Sequence, residues 1–296
     1  MKKRLLFVIN PISGDIDKSE SEQLLRDFCT VNHFDFHLYQ TTGQDDKHQL
    51  QRKIERLQPD AVIAVGGDGT VNLAGTALIG KEIALGIVPL GSGNGLSKDL
   101  KIPQDFEAAL EVIAGFNIHP IDTLELNGHP SLHLSDVGFN ALIVKRFSEG
   151  EKRGLASYAF HVVREYVNYQ PKYYEVKTDR EEFKGKAFMV TVANANMFGS
   201  NATINPTGKV DDGEFEVCIL EEFPKTEGVA ILYDLFTAGI HTSLRSRILH
   251  CRQASIFNTE EEVTQIDGEP IDLGKHIEAH IKPASLRVIL PTEEHT

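Results

Sequence analysis

A device repeated three times in the first hundred residues constrains this chain more than any other feature: a short apolar run that ends in a glycine-rich turn. Leu5–Ile9 runs into Asn10-Pro11-Ile12-Ser13-Gly14. Ala61–Val65 runs into Gly66-Gly67-Asp68-Gly69-Thr70-Val71-Asn72, and Ile83–Val88 into Pro89-Leu90-Gly91-Ser92-Gly93-Asn94-Gly95. Such runs, with Phe36–Tyr39 as a fourth, have the pattern of strands buried on both faces. Helical patterns lie between them. Leu24, Leu25, Phe28 and Val31 repeat at helical spacing, as do Leu50, Ile54 and Leu57, and Phe106–Ala114 is opened by Asp105 and closed by Gly115. Strands alternating with helices of this length imply βαβ units and a parallel sheet. In an open parallel sheet, ligands bind outside the carboxyl ends of the strands. A polyanion suits that place, because glycine lets the backbone approach closely and a helix start adds the positive end of its dipole. The chain has no Gly-x-x-x-x-Gly-Lys-Ser/Thr loop, and Gly91-Ser92-Gly93-Asn94-Gly95 is not the dinucleotide fingerprint, so phosphates would be held in another way.

After about residue 122 the texture changes. Leu124–Leu126, Leu132–Leu134, Ala141–Val144, Tyr173–Lys177, Ala187–Ala193, Glu214–Leu220, Ser255–Asn258 and Ile277–Ile281 are strand patterns. Asn127-Gly128, Asp212-Gly213 and Asp267-Gly268 supply turns between several of them. Helices are expected near Ala156–Asn168 and Thr226–Thr242. The pattern predicts an α/β domain over residues 1–122 and a β-rich domain over 123–284. Ser285–Leu290 is one more strand pattern, and residues 285–296 could complete the first domain.

Composition narrows the functions. A formal charge of −13, from 30 basic and 43 acidic residues, argues against a nucleic-acid binder. Cys29, Cys218 and Cys251 are widely spaced and form no Cys-x-x-Cys pair, which suits small apolar residues in a reducing compartment. The apolar run Leu5–Ile9 is shorter than the roughly 7–15 residues of a secretory segment or the roughly 20 of a spanning helix. A cytoplasmic protein without a transmembrane segment is expected.

The ordered motifs resemble the diacylglycerol kinase catalytic-domain family, which includes sphingosine and ceramide kinases and bacterial soluble lipid kinases. Gly66-Gly67-Asp68-Gly69-Thr70 with Asn72 is similar to its nucleotide-binding signature, Asn10-Pro11-x-Ser13-Gly14 to its first-strand turn, and Pro89-Leu90-Gly91-Ser92-Gly93-Asn94 to its third glycine loop. Downstream, Asn205-Pro206 followed by Asp211-Asp212-Gly213, then Asp267-Gly268-Glu269-Pro270, resemble its later elements. The resemblance implies a Rossmann-like three-layer α/β nucleotide domain, a β-rich sandwich-like domain, and an active site in the cleft between them. It implies an ATP-dependent kinase that phosphorylates a lipid hydroxyl, with Mg²⁺ as cofactor and the lipid met at the membrane surface. The protein would be peripheral and transient there, and a homodimer is compatible.

By position, the resemblance puts Asn10, Pro11, Ile12, Ser13, Gly14, Thr41, Gly66, Gly67, Asp68, Gly69, Thr70, Val71, Asn72 and Ser92 at ATP, with Thr42 an alternative to Thr41. It makes Glu269 the group that orients or deprotonates the acceptor hydroxyl. Asp267, two residues earlier, would share a strand face with it, and close carboxylates tend to raise one pKa. The alternative is a hairpin turn at Asp267-Gly268 with a solvated Glu269. Asp68 either organises its turn through backbone N–H groups or holds Mg²⁺ near the phosphates, the reading preferred here. Asp122 could join this acidic group. A second, structural Mg²⁺ would lie among Lys209 (by its carbonyl), Asp212 and Glu214, although Thr207-Gly208-Lys209 departs from the family's small apolar stretch.

Other candidates weigh less. His276 and His280 lie in a strand pattern without a third ligand. Phe160, Val163, Tyr166 and Val167 form one helical stripe and Val229, Leu232, Leu235 and Phe236 another; both are expected to pack in the core, with a role in admitting an acyl chain as the alternative. The rival functions are an NAD kinase, which shares Gly-Gly-Asp-Gly-Thr, and an inactive nucleotide- or lipid-binding regulator.

Overall fold

The computed structural model describes residues 2–11, 18–149, 155–199 and 201–292. The chain divides into two compact units, Met1–Ile121 with Ala284–Thr296, and Asp122–Pro283.

In the first unit, β1 (Arg4–Ile9), α1 (Lys18–Val31), β2 (Asp35–Gln40), α2 (Asp46–Leu57), β3 (Ala61–Gly66), α3 (Asp68–Thr76), β4 (Ala84–Pro89), α4 (Gly95–Asp99) and α5 (Phe106–Gly115) follow one another. The strands form a parallel sheet in the order β4-β3-β1-β2, with Phe7 beside Ile63 and Ile63 beside Gly86. The chain leaves β1 for β2 on one side and returns as β3 on the other, so the strand order reverses between β1 and β3. β3 and β4 are buried along their whole length, which explains their unbroken apolar sequences. Asp105 caps α5 by accepting the Ala108 N–H at 3.0 Å. At the other end the left-handed residue is Phe116, one position beyond the expected Gly115, and the Lys3 ammonium lies 4.3 Å from its ring centre. On α1, Leu25 and Cys29 are buried while Leu24 and Val31 are exposed, so the buried stripe is narrower than the apolar spacing predicts.

The second unit is mostly antiparallel. It holds β5 (Ile118–Leu126, begun in the first unit), β6 (His129–Ser131), β7 (Leu134–Gly138), α6 (Phe139–Glu149), α7 (Leu155–Asn168), β8 (Lys172–Thr178), β9 (Glu182–Ala193) and β10 (Phe215–Glu221). There follow α8 (Gly228–Phe236), β11 (Ser246–Cys251), β12 (Gln253–Asn258), β13 (Thr264–Ile266), β14 (Glu269–Ile271) and β15 (His276–Ile289). The order is β14-β13-β7-β9-β8-β12-β15, and β10 bonds to β9 and β11. Alternation along β10 feeds two cores. Phe215, Val217 and Ile219 join Tyr174, Val190 and Ile256 on one face. Cys218 and Leu220 join Phe188, Phe223 and Ile231 on the other. The three cysteines are buried and free.

Several expectations need correction. Ala141–Val144 is helical, within α6. Gly138, with φ +103, ends β7, and a side chain there would meet the Phe188 carbonyl and the Tyr174 hydroxyl at 2.9 Å. Asp136 then accepts the Ala141 N–H, and this turn outweighs the strand preference of Ile143 and Val144. Leu132 and His133 lie between β6 and β7 rather than in a strand. The patterns at Ile277–Ile281 and Ser285–Leu290 belong to one strand, β15, which pairs with β12 at its start and places Val288 beside Leu85 at its end. Of the two apolar stripes expected in the core, only Tyr166 and Leu235 pack there. Val163, Val167, Val229, Leu232 and Phe236 are exposed, and the Phe160 side chain lies outside the described residues. Among the described residues, no helix is long and apolar enough to cross a membrane.

Ile63 is fully buried at the centre of the first sheet. Ile63→Ala is expected to cost about 3 kcal/mol, read as a lower midpoint in chemical denaturation.

Candidate active site

The glycine turns after β3 and β4 meet backbone to backbone. A Cβ on Gly91 would lie 2.6 Å from the Gly67 Cα, and one on Gly67 would lie 3.1 Å from the Gly91 Cα. A side chain at Gly91 would force the Gly67 backbone away, and one at Gly67 would fit only tightly. The turn after β1 belongs to the same edge, because β1 lies beside β3. Its half-buried Asn10 and Pro11 are described, whereas Ile12, Ser13 and Gly14 lie outside the described residues. These turns leave the carboxyl ends of adjacent parallel strands, at the reversal between β1 and β3.

Asp68 fastens the second turn to the third. Its Oδ2 accepts the Asn94 N–H at 2.9 Å and its Oδ1 accepts the Gly95 N–H at 2.7 Å. Both oxygens therefore hold backbone across 26 and 27 positions of sequence. Of the two readings of Asp68, the structure shows the one in which it organises backbone, and across two turns rather than within one. Asn94, in the left-handed conformation at φ 57, completes the clamp. Its Oδ1 accepts the Gly91 N–H at 3.0 Å, while its Nδ2 donates to the Gly91 carbonyl at 2.8 Å and to Gln104 Oε1 at 3.1 Å. Asn94 stands inside the third glycine motif, and nothing in its local sequence marks this clamping role.

Helix α3 starts directly at this clamp, with Gly67 at its cap, so the N–H groups of Asp68 and Gly69 have no acceptor within the helix. Thr70 and Val71 close the first turn onto the Gly67 carbonyl at 2.9 and 3.1 Å, and both side chains are buried. Gly69 and Ser92 are exposed and Asn72 half-buried. A helix start beside two bare backbones is a fitting cradle for a phosphate chain. Thr41 continues β2, donating its N–H to the Ile9 carbonyl at 2.9 Å, while Thr42 is engaged with Asp46 through its N–H at 2.9 Å.

In the second unit, Asp267 and Glu269 do not share a strand face. Asp267-Gly268 is the two-residue turn between β13 and β14, with φ 49 and 87, and Glu269 is the exposed first residue of β14. The Asp267 carboxylate accepts from Ser131 Oγ at 2.9 Å, Leu132 N at 2.8 Å and His133 N at 2.9 Å. Burial raises its pKa against the pull of those donors. Gln265 extends this support. It accepts the Gly268 N–H at 2.6 Å and donates to Asp136 Oδ2 at 2.6 Å, where Asn140 Nδ2 also donates at 2.7 Å.

Two of the expected structural magnesium ligands, Asp212 and Glu214, have protein partners. Glu214 is held by Arg180 through two hydrogen bonds, and Asp212 Oδ1 accepts the Glu214 N–H at 3.1 Å. Lys209 lies one residue before Val210, whose carbonyl accepts the Asp122 N–H at 2.7 Å. Asp122 is buried and its Oδ2 accepts the Gly213 N–H at 2.7 Å, which fixes the Asp-Asp-Gly turn. Among the described residues, no three His, Cys, Asp or Glu side chains stand close enough to hold a metal ion.

Comparison with known proteins decides the family. The model of the diacylglycerol kinase catalytic domain matches residues 4–126, and that of the YegS C-terminal NAD kinase beta sandwich-like domain matches residues 135–290. The chain belongs to the diacylglycerol kinase catalytic-domain family. It is 27% identical over 288 residues to the "Probable lipid kinase YegS" of Salmonella arizonae, covering 93% of this chain and 94% of that protein. It is 28% identical over 282 residues to the "Probable lipid kinase YegS-like" of Klebsiella pneumoniae, covering 93% and 91%. A crystal structure of a diacylglycerol kinase from Bacillus anthracis shares the fold with a TM-score of 0.76 at 21% identity, over 98% of this chain and 97% of that one.

Within this family member, the Gln265 network was not foreseen, since nothing in Leu134-Ser135-Asp136-Val137 marks a buried acid. Two predictions follow from the two carboxylates. Asp68→Ala removes two hydrogen bonds to a charged group and is expected to cost about 2 kcal/mol in urea denaturation. Asp136 is buried, which pushes its pKa up from 3.8 to about 6. Between those values the folded state retains a proton that the unfolded state has lost. Stability should therefore fall by about 3 kcal/mol as pH rises through the interval, then level off. Asp136→Asn should flatten that slope, measured as unfolding midpoints across the same range.

Proposed function

We propose that this protein is an ATP-dependent lipid kinase, transferring the γ-phosphoryl group to the hydroxyl of a lipid alcohol such as diacylglycerol or a sphingoid base. The observation that carries this reading is the Gly67–Gly91 contact held by Asp68. It supports a phosphate cradle, and the similar proteins bear lipid-kinase names. Asn10–Gly14, Thr41, Gly66–Asn72 and Ser92 bind ATP in this proposal. The first turn of α3 supplies N–H groups to the phosphates, and Asp68 acts as a positioning residue.

Glu269 is the proposed catalytic base. It is exposed, and the Asp267 turn and the Gln265 network fix the backbone on which it stands. The acceptor oxygen forms a bond to the γ-phosphorus as the bond to the β-phosphate oxygen breaks. The hydroxyl proton passes to Glu269, and ADP leaves. Positioning and charge neutralisation do most of the work in such a transfer. A magnesium ion held beside the nucleotide's phosphates would supply neutralisation.

Incubation with radiolabelled ATP and a panel of lipid alcohols, with NAD as competing acceptor, tests the assignment. Label is expected in lipid; label in NAD alone would select the rival kinase. Glu269→Gln should lower kcat by about a hundredfold or more with little change in KM for ATP, and an unaffected kcat would remove this residue from the mechanism.

A further inference from the structure

Three buried polar side chains stand in one row across the sheet of the second unit. Gln265 on β13 lies opposite Asp136 on β7, and Asp136 lies opposite Thr191 on β9. Residues paired in this way point to one face of an antiparallel sheet, with Cβ atoms about 5 Å apart. The bonding along the row is one-sided. Asp136 Oδ2 accepts from Gln265 Nε2 at 2.6 Å and from Asn140 Nδ2 at 2.7 Å. Asp136 Oδ1 and Thr191 Oγ1 are both buried and have no hydrogen-bond partner.

An ionised carboxylate suits that arrangement, because its hydrogen bonds are roughly twice as strong as neutral ones and both donors gather on one oxygen. A neutral Asp136 does not. Its O–H needs an acceptor, and the hydroxyl of Thr191, across the strand pair, is the unused one. Turning the carboxyl toward Thr191 loosens its bond to Gln265. Gln265 Oε1 in turn accepts the Gly268 N–H at 2.6 Å, one residue before Glu269. We propose that Asp136 is a positioning residue for the transfer: ionised, it holds Gln265 and through it the Glu269 hairpin, and neutral, it turns to Thr191 and releases them. The proposal rests on the lipid-kinase reading with Glu269 as base.

Burial sets the change at about pH 6. Other titratable groups surround the row. Tyr174 on β8, Tyr169 just past α7 and Cys218, opposite Thr191 on β10, are all raised by burial and stay neutral through this interval. Tyr169 donates to Glu262, which the Lys172 ammonium approaches at 3.7 Å. On the hairpin side stand Asp267, also raised by burial, and His133 beside it. A variant at Asp136 separates its titration from theirs. Charge on Asp136 costs the fold stability, so a gain in activity over the same rise in pH runs against what unfolding would produce.

Asp136→Asn fixes the neutral form. At saturating ATP and lipid alcohol, the ratio of wild-type to variant kcat should climb from about one at about pH 5 to about ten at about pH 8, with KM for ATP alike in both. Titration of the nucleotide cancels in that ratio. Gln265→Met removes the relay at similar side-chain length and should stay near the Asp136→Asn value at every pH. Without ATP or lipid, the wild-type Gly268 amide, corrected for its intrinsic exchange rate, should gain about tenfold in protection over the same rise in pH, and the Asp136→Asn amide should not. A ratio that ignores pH overturns the proposal, and so does a Gln265→Met kcat that follows wild type. Protection that rises while no lipid is phosphorylated leaves the hold on the hairpin standing and removes the kinase reading. Lipid phosphorylation with a ratio independent of pH does the reverse.

Discussion

Asp68 accepts two backbone N–H groups, Asn94 and Gly95, and through them joins turns that are otherwise separate in sequence. The bare contact between Gly67 and Gly91 depends on that join, and so does the direction of the first turn of α3. Phosphates are polyanions that gain most from donors already fixed in place, since no ordering is then required on binding. The first unit supplies such donors with backbone alone. The three glycine turns contain no lysine.

The second unit fixes the hairpin that carries Glu269 by the opposite means, with side chains. Asp267 anchors its hairpin on Ser131, Leu132 and His133, and Gln265 ties the same hairpin to Asp136 and Asn140 at the start of α6. Burying Asp136 has an energetic cost, visible in its raised pKa, which the donors around it offset only in part. A network of this kind holds the backbone at Glu269 while its side chain remains exposed.

Much of the first unit was legible in sequence because its strands are buried on both faces and its turns are marked by glycine. The direction of Asp68 was not, because its partners are 26 and 27 residues away and no local pattern announces them. The second unit was harder. Ile143 and Val144 favour strands in isolation, and only the Gly138 turn and Asp136 make them helical. The Asp267-Gly268 turn was visible as a hairpin signal, yet a two-residue carboxylate spacing read as one strand face concealed that Asp267 looks inward. The exposed stripe of α8 shows the limit of periodicity, which finds an apolar face and is silent on what covers it.

The central claim, that the joined turns are a phosphate cradle, is tested most directly by amide hydrogen exchange with and without ATP and Mg²⁺. The account predicts added protection concentrated in residues 66–72 and 91–95, lost when Asp68 is replaced by alanine. ATP binding that leaves those two segments unchanged and protects another part of the chain would contradict it.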